Sequence, residues 1–269
     1  MRMPAIALIT VSIAALGGCA RASHPDAFRS TASADVGQRG SRLLQLAAEV
    51  EARGDTTAAL ALYRQAAAVP GDALVANIRL GEAYTRTDNF KSAIEAYRAA
   101  LATEPNSGEA LLGLGTALIR TNNINGGLAA LGRAAPIVRT GIAYNRLGLA
   151  QTSAGRMLEA IASLEHAVAL SPKDLDFRIN LALAMALDGR DDTAIGLAWE
   201  VGSSPKAETR HRRNLIIVLG LFGRATDAHG AIVGEIRQSE VQALLARAGA
   251  IRAIKDVRAR AKALGTIMG

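Results

Sequence analysis

Chemistry in this chain of 269 residues would have to start from its histidines, its single cysteine or a clustered set of acids. The histidines are His24, His166, His211 and His229. No two stand at i and i+4 and no HExxH occurs, so the spacing that puts two imidazoles on one helix face for zinc is absent. Asp188, Asp191 and Asp192 gather around Gly189 without EF-hand spacing, and they read as turn and helix-cap residues. There is no GxSxG, no GxGxxG and no GxxxxGK; Gly113-Leu114-Gly115 lacks the third glycine and reads as a place where helices approach closely. A lone cysteine excludes a disulfide framework or a thiolate zinc cluster. These residues predict a chain that is not an enzyme and takes no cofactor, metal or small-molecule substrate.

The elements that remain to be positioned are helices. Hydrophobic residues make up 50 % of the chain but aromatics only 3 %, and 56 residues are Ala. Ala is the best helix former and a poor strand former, so a sheet-based fold is not expected. The net charge of +7 is uneven: residues 206–269 hold 12 basic and 5 acidic residues, while 1–205 hold 19 of each. Such a basic end suits an acidic partner or an anionic surface.

The N-terminus reads as an address. Arg2 is followed by the uncharged run Ala5 to Leu16, twelve residues long, which is too short to span a bilayer and has the length of a secretory core. Leu16-Gly17-Gly18-Cys19 then resembles the lipobox of bacterial lipoproteins. That resemblance implies a signal peptide over 1–18, cleavage before Cys19, lipidation of Cys19 and, with Ala20 rather than Asp next, retention at the outer membrane facing the periplasm. Residues 19–40 lack apolar periodicity and read as the lipidated cysteine and a flexible tether.

The rest is organised by a period of 34. Asn180-Leu181 recurs as Asn214-Leu215, and Ala59 to Tyr63 (ALALY) recurs as Ala93 to Tyr97 (AIEAY). Leu80-Gly81, Tyr84, Ala93, Tyr97 and Pro105 in one unit, and Leu147-Gly148, Ala160, Leu164 and Pro172 in another, resemble the tetratricopeptide (TPR) pattern. The resemblance implies an all-α, right-handed superhelix of about six helix-turn-helix repeats, near 40–73, 74–107, 108–140, 141–174, 175–208 and 209–242, within a domain spanning 41–242. Small residues at position 8 (Gly81, Gly115, Gly148, Ala182) and position 20 (Ala59, Ala93, Ala160, Ala194, Ala228) let the first helix of a repeat, helix A, approach the second, helix B. Gly54, Asp88, Asn122, Gly155, Gly189 and Gly223 supply left-handed turns between them. Pro136 predicts a short or kinked helix, and 243–269 reads as one capping helix over the last repeat.

In TPR superhelices helix A lines the concave groove, through positions 2, 5, 9 and 12. That register places Val75, Ile78, Glu82, Leu112, Thr116, Ile119, Ile142, Asn145, Leu149, Ile179, Leu183 and Ile217 in the groove. Asn180 and Asn214 are placed to hydrogen-bond a ligand backbone, and Arg210, Arg212 and Arg213 to form a basic rim. Such a groove suits a peptide or amphipathic helix with apolar anchors and an acidic end. The expectation holds only if the chain's own tail leaves the inner curve open.

The stretch Arg213 to Arg224 (RNLIIVLGLFGR) resembles the TadD family of TPR lipoproteins of the tight-adherence (Flp) pilus system. That resemblance implies a membrane-anchored, pilotin-like factor whose partner is the secretin or another pilus-assembly protein. A general periplasmic adaptor in outer-membrane or peptidoglycan biogenesis, or a helper of an envelope enzyme, stays open as an alternative. Nucleic acid is not an expected partner, because no aromatic stacking platform accompanies the basic end.

Overall fold

The computed structural model describes residues 25–231 and 236–268, and every regular element among them is an α-helix. In chain order these are α1 (Pro25–Ala52), α2 (Thr56–Ala67), α3 (Ala73–Arg86), α4 (Phe90–Thr103), α5 (Gly108–Arg120), α6 (Ile124–Val138) and α7 (Gly141–Ser153). They continue as α8 (Met157–Leu170), α9 (Leu175–Asp188), α10 (Asp191–Gly202), α11 (Thr209–Leu221), α12 (Ala225–Ala231), α13 (Gln238–Arg252) and α14 (Val257–Met268). Consecutive helices pair into hairpins, α1 with α2 through α11 with α12. The A helices α3, α5, α7, α9 and α11 begin within one residue of the repeat starts expected from the period of 34.

Close approach in the hairpins α3–α4, α5–α6 and α7–α8 depends on the missing side chains. A Cβ added to Gly81 would lie 2.7 Å from the Tyr97 ring; at Gly115 it would lie 2.6 Å from Leu131, and at Gly148 2.6 Å from Leu164. Each of these partners is buried on helix B of the same repeat. Ala59, Ala93, Ala160, Ala182 and Ala194 are fully buried in the same helix–helix layer. Tyr97 is also pressed from the next repeat by Gly113, so one ring locks α3, α4 and α5 together. Burial pushes its phenol up from the ordinary value.

The turns follow the chemistry of positive φ. Gly54, Gly155, Gly189 and Gly223 lie at φ between 76° and 89°, and Asp88 and Asn122 at 55° and 62°, one at each A-to-B turn. Helix starts are capped by short polar side chains: Asp55, Asn89, Asn123, Ser107, Thr140 and Asp174 each accept a backbone N–H from three residues on. Asp191 and Asp192 sit in the first turn of α10, one step inside the cap, where the helix dipole favours acids.

The curvature follows from which helices touch. Successive A helices meet directly, α3 with α5, α5 with α7, α7 with α9 and α9 with α11, whereas B helices reach the next repeat through its A helix. The stack therefore curls towards its A helices. Its largest apolar cluster joins α9, α10 and α11 to α13 and α14, with Ile216, Val218 and Leu219 fully buried.

The structure departs from the sequence expectations at several places. α1 begins at Pro25, so residues 25–40, expected to be a tether, are helical; Pro is preorganised for a first helical position, and no later Pro interrupts the run. Pro136 does not shorten α6, which runs to Val138. The proline sits in the last turn, where Arg139, left-handed at φ 52°, donates its Nε–H to the Pro136 carbonyl at 3.0 Å. In the last repeat α12 is a short helix, and α13 packs against α11 much as a B helix would. The expected single capping helix is two, α13 and α14, because Asp256 accepts the Ala259 N–H at 2.7 Å and starts a new helix after Ala253–Lys255. α14 then folds back onto α7 and α9.

Gly148→Val is expected to destabilise the protein by about 1–3 kcal/mol, since the added methyls must displace Leu164 or strain α7. Gly132→Ala, in an exposed helical position with nothing within 4 Å of the new Cβ, is expected to stabilise by about 1 kcal/mol. Urea midpoints of the two variants measure both signs.

Candidate functional site

The inner face divides into an open stretch and a closed one. On the open stretch, Val75 of α3 and Ile142 and Leu149 of α7 are exposed by 45 %, 54 % and 38 %, and Leu112, Thr116 and Ile119 of α5 are half-buried between them. A shallow apolar cleft of about 160 Å³ lies between α5 and α7, lined by Thr116, Ile119, Leu131 and Leu149 with Arg120 and Arg146 at its edge. Arg146 donates to Thr116 Oγ1 at 3.3 Å, and Arg120 lies over the Phe90 ring at 4.8 Å and reaches Asp88 at 3.5 Å. Towards α3, Arg79 bridges Glu82 at 2.8 Å and Glu109 at 3.6 Å, which puts Glu82 beside the groove as a paired carboxylate.

The closed stretch corrects the sequence expectation. Ile179, Leu183 and Ile217 are 1–3 % exposed and sit in the cluster built by α9, α11, α13 and α14, so they are not available to a ligand. Ile78 is likewise buried, against Ala100 and Ala110 at the junction with the next repeat. Asn180 donates its side-chain amide to Asn145 Oδ1 at 3.0 Å, which uses both as a link between α9 and α7. Asn214 is half-buried on α11. The expected basic rim is largely neutralised within the chain: Arg210 makes a two-point contact with Asp176 at 2.9 and 3.0 Å, Arg213 reaches Glu240 at 2.6 Å, and Arg212 donates to the Ala207 carbonyl at 2.6 Å. Cys19 lies outside the described residues.

Residues 43–240 match the family profile described as the cilia and flagella-associated protein 70 middle TPR-like domain. The chain belongs to this TPR-like family. The TPR-like chain resembles, at TM-score 0.66, the crystal structure of PilW, a widely conserved type IV pilus biogenesis factor; the two are 22 % identical, over 77 % of this chain and 98 % of that one. It resembles PilF of Pseudomonas aeruginosa at 0.63 and 18 %, over 79 % of this chain and 99 % of that one. YrrB, a TPR protein with an unusual peptide-binding site, matches at 0.54 and 20 %, over 64 % of this chain and 89 % of that one. These likenesses show the fold. No curated protein matches the chain.

Two features of this TPR-like chain escaped its sequence. One is a polar clasp between repeats. The Glu208 N–H donates to His211 Nδ1 at 2.9 Å, which leaves the ring proton on Nε2 to meet Asp176 Oδ1 at 3.0 Å, beside the Arg210 pair. Residues 34 and 35 apart carry it, so the repeat period held the signal, but any exposed Asp and Arg at that spacing would look alike. The other is α14, which brings Arg258 and Lys262 beside Ile119, Ile124 and Ser153 across a cleft of about 550 Å³. The cation spacing i, i+4 was visible; the fold-back was not. Among the described residues no helix is long and apolar enough to cross a membrane, and no cluster of ligating side chains fits a metal ion.

The hydrogen bond from Arg210 holds the Asp176 carboxyl below the ordinary 3.8, with His211 adding to the effect. A carboxylate lowered in the folded state contributes stability that is full above the unfolded value and fades as pH falls through the lowered one. Asp176 is half-exposed, so the contribution is below about 1 kcal/mol. Asp176→Asn is therefore expected to lower the melting temperature at pH 7 by less than about 4 °C. The gap from wild type is expected to close as the pH is taken well below 3.8. Calorimetry across that range checks the sign.

Proposed function

We propose that this TPR-like protein is a scaffold that captures a segment of a partner protein on the open inner face of repeats 2–4. The observation that carries the reading is the row Val75, Ile142 and Leu149. Among the described residues these three, with Leu46 of α1, are the large apolar side chains left exposed on A helices; Ile137, Leu158 and Leu170 are exposed on B helices. An exposed apolar row on a rigid, pre-formed concave face binds at low ordering cost, which favours a peptide anchored by alternate side chains. The short apolar cleft at Leu149 suits one such anchor.

The partner in this reading is a component of a pilus-assembly machine, the secretin foremost. Two things support it: the resemblance of Arg213–Arg224 to the Flp-pilus lipoproteins, and the shared fold with PilW, itself a type IV pilus biogenesis factor. The lipobox-like Leu16 to Cys19 supports a lipid anchor at the outer membrane, on the periplasmic side. An anchored scaffold raises the local concentration of its ligand and turns a weak contact into a productive one. A general periplasmic adaptor would use the same face for other envelope proteins, and the identity of the captured protein separates the two.

Leu149→Arg is expected to abolish pilus assembly and co-purification of the pilus partner. It should leave melting temperature and membrane attachment close to wild type, since an exposed position costs within about 0.5 kcal/mol. Leu183→Arg, at a buried position on the closed stretch, is expected to unfold the C-terminal repeats instead. Normal piliation in Leu149→Arg would overturn the assignment of this face.

A further inference from the structure

We infer that α14 is the second wall of the binding site, and that the segment it helps to grip is acidic as well as apolar. The inference rests on the scaffold reading above and names the chemistry of its ligand. The 160 Å³ cleft between α5 and α7 adjoins the 550 Å³ cleft beside α14, and the two share Ile119 and Ser153 as lining residues. Along this path the floor is apolar, with Leu149, Ile119 and Ile124. The walls are cationic: Arg146 on one side, Arg258 and Lys262 on the other. The one acid that lines it, Asp256, has an oxygen committed to capping α14.

α14 is held in place by its other face. Ala261 and Leu264 are buried in the same cluster as Met157 and Leu187. At its start Arg258 lies so close to the α7–α8 turn that a Cβ on Gly155 would meet its backbone at 3.2 Å. The cations are therefore presented on a docked helix, and little ordering cost attaches to using them. Arg258 and Lys262 are exposed and have no carboxylate partner among the described residues, unlike Arg210 and Arg213 at the expected rim. The positive balance of the chain's last quarter thus becomes available here.

The occupant is a segment of a partner protein, in extended form, with an apolar side chain seated at Ile119 and Leu149 and carboxylates facing Arg258 and Lys262. Residues 1–24 of this chain contain no acid, so they do not supply that charge. Two cations one helical turn apart match acids spaced along an extended strand, and charge at the wall fixes direction and register as well as rate of encounter.

The test is selection of a randomised ten-residue peptide library displayed on phage, against the folded full chain and against Arg258→Glu/Lys262→Glu. Both substitutions are at exposed side chains, and an unchanged melting temperature verifies the fold. Wild type is expected to enrich sequences in which Asp or Glu flanks Leu, Ile or Phe. Their affinity should fall about tenfold or more on the double variant, recover when Lys is put in place of the peptide acids, and weaken with salt. Arg146→Glu is expected to act in the same direction. Selected sequences without acids, affinities unchanged on the double variant, or an empty selection would overturn the inference. So would phosphatidylglycerol vesicles bound through Arg258 and Lys262 with no peptide selected, which assigns the cations to a lipid surface. If the natural partner is lost with Leu149→Arg but kept with the double variant, the scaffold reading stands and this inference fails. If it is kept with both, both fail.

Discussion

The contact between a glycine on helix A and a large side chain on helix B is the constraint from which the rest of the molecule follows. At Gly81, Gly115 and Gly148 an added Cβ would come within 2.6–2.7 Å of Tyr97, Leu131 or Leu164, so any larger residue forces a helix or that side chain to shift. That contact sets how near the two helices of a hairpin lie. Nearness leaves Ala at position 20 fully buried, and it lets one ring such as Tyr97 reach across to the following repeat. Hairpins so built cannot bury their own apolar faces, and stacking is the only way to do it. With A helices touching along the stack and B helices held apart, the stack must curve, and a curved stack has an inner face.

What the chain does with that face differs along its length. At the C-terminal end the apolar positions are consumed by packing: α11, α13 and α14 bury Ile179, Leu183 and Ile217, and the arginines beside them are paired with Asp176 and Glu240. Towards the middle the equivalent of Leu183 and Ile217 remains in solvent as Leu149, with Ile142 exposed on the same helix. The closed end is a rigid base, tied by the His211–Asp176–Arg210 clasp, and the open stretch is a surface with unsatisfied apolar area. α14 belongs to both, with a buried side fixed to the base and a cationic side turned to the opening.

The fold was legible in the sequence where local chemistry leaves no choice. A left-handed turn admits Gly, Asn or Asp, and Gly54, Asp88, Asn122, Gly155, Gly189 and Gly223 all mark real turns. Close helix approach demands small residues, and the spacing of Gly81 or Gly148 from the following proline set the repeat frame. The site was legible only in part. Leu149 and Leu183 occupy the same slot in successive repeats, 34 residues apart, and nothing local separates an apolar residue awaiting a ligand from one covered by helices far along the chain. The helix from Pro25 was hidden because its residues show no apolar stripe, and the break at Asp256 because one capping acid in a run of helix formers is a faint mark.

The central claim is that the inner face is open at repeats 2–4, apart from the part of α7 on which α14 packs, and filled by the chain itself at repeats 5 and 6. Cysteine accessibility measures this directly: single cysteines placed at 142, 149, 183 and 217 in a Cys19→Ser background, reacted with a maleimide under native conditions. The account predicts rapid labelling at 142 and 149, and protection at 183 and 217 that is lost only when the protein unfolds in denaturant. Equal, rapid labelling at all four positions would contradict it.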